Sequence, residues 1–253
     1  MFSRILMCLF LVTASLSWMP SPAGAATELL VSAAASLTES FKELAKAFEA
    51  NNPGMKVRCN FAGSGSLLQQ IMQGAPVDVF ASADQKTMDQ AQKGGFIVPG
   101  SRTNFAGNSL VLITPAKMHL VSGLGDLNSA KVQKIAIGNP NSVPVGRYTR
   151  AAMERQGLWK AIAPKCVMGI SVKQALEYVM QSEVEAGFVF GSDAVDAKDR
   201  VRVVVEIPTV TPIVYPVAVV ASSVHQSEAR AFIRFLQGKE AQGILAKYGF
   251  KRP

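Results

Sequence analysis

Residues 28–72 read ELLVSAAASLTESFKELAKAFEANNPGMKVRCNFAGSGSLLQQIM and contain the same device twice. A short apolar run, ELLVSA, leads through tiny residues into Leu37, Phe41, Leu44, Ala45 and Phe48 at helical spacing. A second run, MKVRCNFA, leads through Gly63, Ser64, Gly65 and Ser66 into Leu67, Leu68, Ile71 and Met72 on one helical face. Short apolar runs giving way to a 3.6-residue period predict strand, helix, strand, helix. VDVFAS (77–82) supplies a third strand, and a helix from about Gln85 stops at Gly94 and Gly95. Such a βαβαβα series implies a parallel sheet with helices on both faces.

Beyond FAGNSLVLITP (105–115) the pattern starts again. KIAIG reads as a strand, and helices are expected over about 146–156 and 172–181. GFVFG, VRVVVEIP and the extended YPVAVVAS follow, and the chain closes on helices carrying Phe232, Ile233, Phe235 and Leu236, then Ile244 and Leu245. Two α/β lobes are the natural reading. With the closing helices packed on the first lobe, the chain crosses between lobes twice, near residues 108–110 and 215–217. Lobe I then comprises residues 26–108 and 218–253, and lobe II residues 109–217. Between two such sheets, at the carboxyl ends of their strands, lies the cleft where this architecture binds ligands.

The first 25 residues stand outside that plan. Arg4 precedes an apolar stretch over 5–19, and PSPAGA ends in an A-x-A pattern at 23–25, which predicts an export signal cleaved after Ala25. With 15 apolar residues before Pro20, the stretch is short for a membrane anchor. LMCL before Cys8 lacks the small residues of a lipid-modified cysteine, so a soluble exported protein is expected. Of 253 residues, 49% are hydrophobic and 17% charged, enough to bury a sizeable core. Loss of Arg4 lowers the formal charge from +8 to +7. The basic residues are scattered without interleaved aromatics, which speaks against nucleic acid as a partner. Cys59 and Cys166 have no CxxC neighbour and no nearby histidine, and read as small buried residues.

Four helix starts hold the chemistry. Ser36 and Glu39 form S-x-x-E, a capping box, yet the three alanines before Ser36 also suit close approach of a ligand. The Gly63–Ser66 strip repeats the device, and a plain flexible turn is its alternative. A helix N-terminus presents unpaired N–H donors and about half a positive charge, so it holds an anion without a cationic side chain. Two such ends facing one cleft suit a compact dianion. In the second half, Val145 in VPVGRY precedes a helix and Val172 in ISVKQAL lies near the first turn of another.

AAASLTESF (33–41), FAGSGSL (61–67), GAPVDVFASADQKTMD (74–89), GNSLV (107–111), VPVGRY (143–148), GFVFGSDAV (187–195), YPVAVV (215–220) and KYGF (247–250) occur in this order over nearly the whole of residues 26–253. This ordered set resembles the substrate-binding proteins of molybdate/tungstate ABC transporters. The resemblance implies a two-lobed periplasmic binding protein fold with two interdomain crossovers (type II). It further implies a tetrahedral oxyanion held between the lobes, with Ser36 and Ser64 giving hydroxyls and Val145 and Val172 giving backbone N–H groups. The fifth position of the family motif, usually tyrosine, is Phe190 here, which has no donor; the remaining N–H groups, a bound water or a hydroxyl such as Ser192 would have to serve instead. Further implications are delivery to an ABC permease, a periplasmic location, a monomeric state and no cofactor beyond the bound molybdate or tungstate.

Other functions fit the residues less well. His119 and His225 have no cysteine or carboxylate at metal-ligand spacing, and no G-x-S-x-G elbow, P-loop or G-x-G-x-x-G is present, so an enzyme is not expected. Asp78 and Asp84, flanking one strand, read as turn-orienting carboxylates. A cytosolic regulator would need a DNA-binding domain and no export signal. Phosphate, partly protonated near neutral pH, favours a site with an acceptor carboxylate, and none of the five positions is acidic. Sulfate is the alternative oxyanion, separated from molybdate by cavity size.

Overall fold

The computed structural model describes residues 26–253. The predicted signal segment and its cleavage site lie outside the described residues. Two five-stranded sheets form, each covered by helices. The first contains β1 (Thr27–Ala34), β2 (Met55–Ala62), β3 (Val79–Ala81) and β4 (Thr103–Asn108), with α1 (Thr38–Asn51), α2 (Ser64–Met72) and α3 (Gln85–Lys93) between them. The second contains β5 (Leu110–Pro115), β6 (Ile135–Gly138), β7 (Cys166–Gly169), β8 (Ala186–Phe190) and β9 (Val201–Ile207). Its helices are α4 (Pro144–Arg155), α5 (Trp159–Ile162), α6 (Val172–Met180) and α7 (Gly191–Ala197). The chain returns to the first sheet as β10 (Ile213–Val219) and ends in α8 (Gln226–Gln237) and α9 (Lys239–Lys247).

Strand order is β2-β1-β3-β10-β4 in one sheet and β7-β6-β8-β5-β9 in the other. The expected all-parallel sheets are therefore mixed: β10 pairs antiparallel with β3 and β4, and β5 pairs antiparallel with β8 and β9. The cause is the hinge. A strand entering a lobe from the crossover starts at the carboxyl ends of the parallel strands and has to run back past them. The second crossing also comes earlier than residues 215–217. Residues 213–217 already pair with β4, since IVYPVAV is apolar enough to be buried in the first sheet, and the connection spans 208–212.

Helices cover both faces of the first sheet, as the alternation predicted. One face is filled by Phe41, Phe48, Phe105 and Phe232, which meet edge to face, for instance at 5.1 Å between Phe48 and Phe232. Leu67, Leu68, Ile71, Phe80 and Met88 fill the other. Cys59 and Cys166 are half-buried free thiols on edge strands β2 and β7 of different sheets, not fully buried as expected. Burial pushes their thiols up to about 12 and about 11.

Candidate functional site

A small, tight cavity lies between the lobes at the carboxyl ends of the strands. Ser36, Ser64, Val172 and Phe190 line it together with Ala34, Ala35, Gly63 and Pro144. Val145, fully buried, follows Pro144 as the second residue of α4, so its N–H belongs to the unpaired first turn rather than to the residue before the helix. Four of the five sequence-derived positions thus line one cavity and Val145 adjoins its lining residue Pro144; four helix starts and the end of β8 contribute them.

Each serine has a specific local setting. Ser64 opens α2, and its Oγ accepts from the Ala83 N–H at 3.0 Å. An N–H can only donate, so the Ser64 hydroxyl proton remains free to point elsewhere. Ser36 lies within a 3₁₀ turn, Ala35–Leu37, ahead of α1. Neither that turn nor α1 has a side-chain cap, so the capping-box reading of Ser36 and Glu39 is overturned. Its Oγ lies instead 2.9 Å from the Tyr215 hydroxyl. The displaced helix start explains the change: the extra 3₁₀ turn moves Ser36 off the N-cap position.

The small residues answer to the opposite lobe as much as to any ligand. A Cβ on Gly63 would stand 2.8 Å from the Ile170 carbonyl oxygen, and one on Gly65 would stand 2.5 Å from that of Ser142. The Gly65 N–H donates to Ser142 O across the cleft at 3.0 Å. Beside it, Arg147 of α4 reaches Asp84 at 2.7 Å and Thr87 at 2.8 Å on the first lobe. Asp84 also caps α3 through the Thr87 N–H, as expected, whereas Asp78 does not orient its own following turn: it accepts from the Leu30 N–H of β1 and from the Ser223 hydroxyl. These contacts hold the two lobes together around the cavity.

No charged side chain lines the cavity among the described residues. Two cations near the starts of the helices that reach the cavity are already paired: Arg147 with Asp84, and Lys173, next to Val172, with Asp193 and Asp196 at 3.2 and 2.7 Å. Burial pushes the Asp193 carboxyl up to about 6 against the pull of Lys173. What faces the cavity is therefore a set of hydroxyls and helix-terminal N–H groups, a neutral donor shell suited to a compact anion. Phe190 adds an apolar wall, its ring packed edge to face against Tyr148 and Tyr215 at 6.2 and 5.8 Å. Ser192, considered as a replacement hydroxyl, is not among the residues that line the cavity; its Oγ accepts from Asn108 Nδ2 at 2.9 Å. Tyr215, unassigned by the sequence reading, is the polar group that reaches Ser36 from behind the cavity lining; a tyrosine inside the apolar run IVYPVAV was its only signal.

Two mixed α/β lobes, two crossovers and a donor-lined cavity between helix starts define a type II periplasmic binding protein. The chain belongs to the family of bacterial extracellular solute-binding proteins, whose model matches residues 29–251. It is 36% identical over 230 residues to the molybdate-binding protein of Escherichia coli, covering 88% of each chain. With that of Haemophilus influenzae it shares 33% over 232 residues, 89% of this chain and 91% of the other. Among solved structures, the periplasmic molybdate-binding protein of Azotobacter vinelandii superposes with a TM-score of 0.80 at 28% identity, over 89% of this chain and 99% of that one.

Proposed function

We propose that this chain captures molybdate, or tungstate, between its lobes and delivers it to the permease of an ABC transporter. The observation that supports this most is the convergence of four helix starts on an uncharged cavity, with the Ser64 oxygen already occupied by a donor so that its proton is free. Ser36 and Ser64 supply hydroxyls, Val145 and Val172 supply main-chain N–H groups, and Phe190 closes the wall. Several donors are needed, because an anion buried without them would cost tens of kcal/mol, whereas each hydrogen bond to a charged group returns on the order of 1.5–3 kcal/mol. The relatives named for molybdate binding support the choice of ion. In this reading the protein is exported with cleavage after Ala25, works as a periplasmic monomer, uses no cofactor and turns over no substrate.

Calorimetric titration with molybdate, tungstate, sulfate and phosphate tests the assignment. Saturable one-to-one binding of molybdate and tungstate, with weaker sulfate and no phosphate, is the expected result; the cavity lining has no carboxylate to accept a phosphate proton. Tighter binding of sulfate than of molybdate would reassign the ligand, and silence towards all four would overturn the oxyanion reading.

A further inference from the structure

We propose that Tyr215 is a positioning residue that turns the Ser36 hydroxyl proton into the cavity, through a directed hydrogen-bond chain starting at Asn108 in the hinge. The inference rests on the oxyanion reading above and says how one of its donors is aimed. Direction follows from groups that have no choice. Asn108 Oδ1 accepts from two backbone N–H groups, Ser109 at 2.9 Å and Ser192 at 3.3 Å, which fixes the side-chain amide. Its Nδ2 must then donate, and it does so to Ser192 Oγ at 2.9 Å and to the Tyr215 hydroxyl at 3.1 Å.

The Tyr215 oxygen therefore acts as acceptor towards Asn108, and its own proton needs an acceptor. Tyr215 is fully buried, and Ser36 Oγ at 2.9 Å is the remaining hydrogen-bond partner of its hydroxyl among the described residues. The opposite polarity, with Ser36 donating to Tyr215, would strand the phenol proton in the protein interior. Burial holds the Tyr215 hydroxyl well above its ordinary range, so it stays protonated. With its oxygen occupied by Tyr215, Ser36 matches Ser64, whose oxygen accepts from Ala83. Both hydroxyl protons are thus set towards the ion before it arrives, the preorganisation that saves ordering cost on binding. The chain starts where β4 passes into the second lobe, and Ser109 and Ser192 belong to that lobe, so hinge and donor are joined by one network.

A double-mutant cycle with molybdate reads the role. Tyr215→Phe, which keeps the ring, is expected to weaken binding on the order of tenfold. In a Ser36→Ala background it should cost nothing further, because the group it acts through is gone. Equal losses in both backgrounds, or none in the wild-type background, would overturn the proposal while leaving molybdate binding intact. A wild-type protein that binds no oxyanion would instead bring down the functional reading and this proposal with it. Neutron diffraction from the deuterated wild-type protein gives a second test, independent of any variant's folding and of ligand. It should place the Tyr215 deuteron between Tyr215 and Ser36 and the Ser36 deuteron towards the cavity; a Ser36 deuteron aimed at Tyr215 overturns the assignment.

Discussion

At Ser64 the side-chain oxygen accepts from the Ala83 N–H, which leaves its proton free for a ligand, so removing it is expected to have two separable effects. Ser64→Ala leaves that buried N–H without a partner, expected to cost about 1–3 kcal/mol of stability. It also removes a donor to the anion, expected to weaken molybdate binding roughly tenfold to a hundredfold. Thermal melts of the ligand-free protein read the first effect and calorimetry reads the second; an unchanged affinity would remove Ser64 from the site. Phe190 is the converse case, a wall position 1% exposed and without a donor. Phe190→Tyr is expected to tighten oxyanion binding by up to about 1.5–3 kcal/mol, since the fold already holds an aromatic ring there. A tenfold loss in the same titration would show a pocket built around phenylalanine. The serines were legible in the sequence because small residues before a helix are a local signal. Tyr215 was not, because its partner Ser36 is 179 residues away and only the folded hinge brings them together.

The helices that frame the cavity were readable as elements from their apolar spacing, but what their first turns hold was not. Asp84 was legible as a carboxylate that orients its turn, yet the same side chain reaches across the cleft to Arg147 in the first turn of α4, a pair only 16% and 6% exposed. Shielded from water, charged hydrogen bonds of this kind count for more than a surface ion pair. Because the pair joins different lobes, it stabilises their closed arrangement more than either lobe. Arg147→Ala is therefore expected to lower molybdate affinity by about 1.5–3 kcal/mol while moving the melting temperature of the ligand-free protein little. A large drop in that melting temperature with unchanged affinity would mean the pair serves folding rather than closure. The short elements β7, α5 and α7 escaped the sequence reading. CVMG and WKAI are four residues each, and GSDAVDA spans seven, too few for a period of 2 or 3.6 to declare itself.

Across the whole molecule, the two-lobed plan was legible because strand–helix alternation stops and restarts at FAGNSLVLITP. Strand direction was not, since the antiparallel runs of β5 and β10 follow from where the hinge lies rather than from any local pattern. The closed arrangement likewise rests on residues whose sequence signal was ambiguous. Gly63 and Gly65 read as clearance for a ligand, with a flexible turn as the alternative, and they prove to be where the backbone of the other lobe seats itself. At Gly65 the fit leaves no room: the Ser142 carbonyl accepts from its N–H at 3.0 Å and would stand 2.5 Å from any Cβ. Backbone on both sides of that contact cannot swing aside as a flexible side chain would. In an open form the two lobes part and the conflict disappears, so Gly65→Ala penalises closure specifically. A ligand that bridges both lobes binds by favouring the closed state, and its apparent affinity falls by whatever that state has lost. Gly65→Ala is thus expected to fold with a near-normal melting temperature and to bind molybdate more weakly by about 1–3 kcal/mol, the usual cost of overpacking. Small-angle scattering at matched ligand concentration should show compaction of the wild-type protein on adding molybdate and a reduced response of the variant. Full compaction and full affinity in Gly65→Ala would mean that the lobes close by another path, with Ser142 free to retreat.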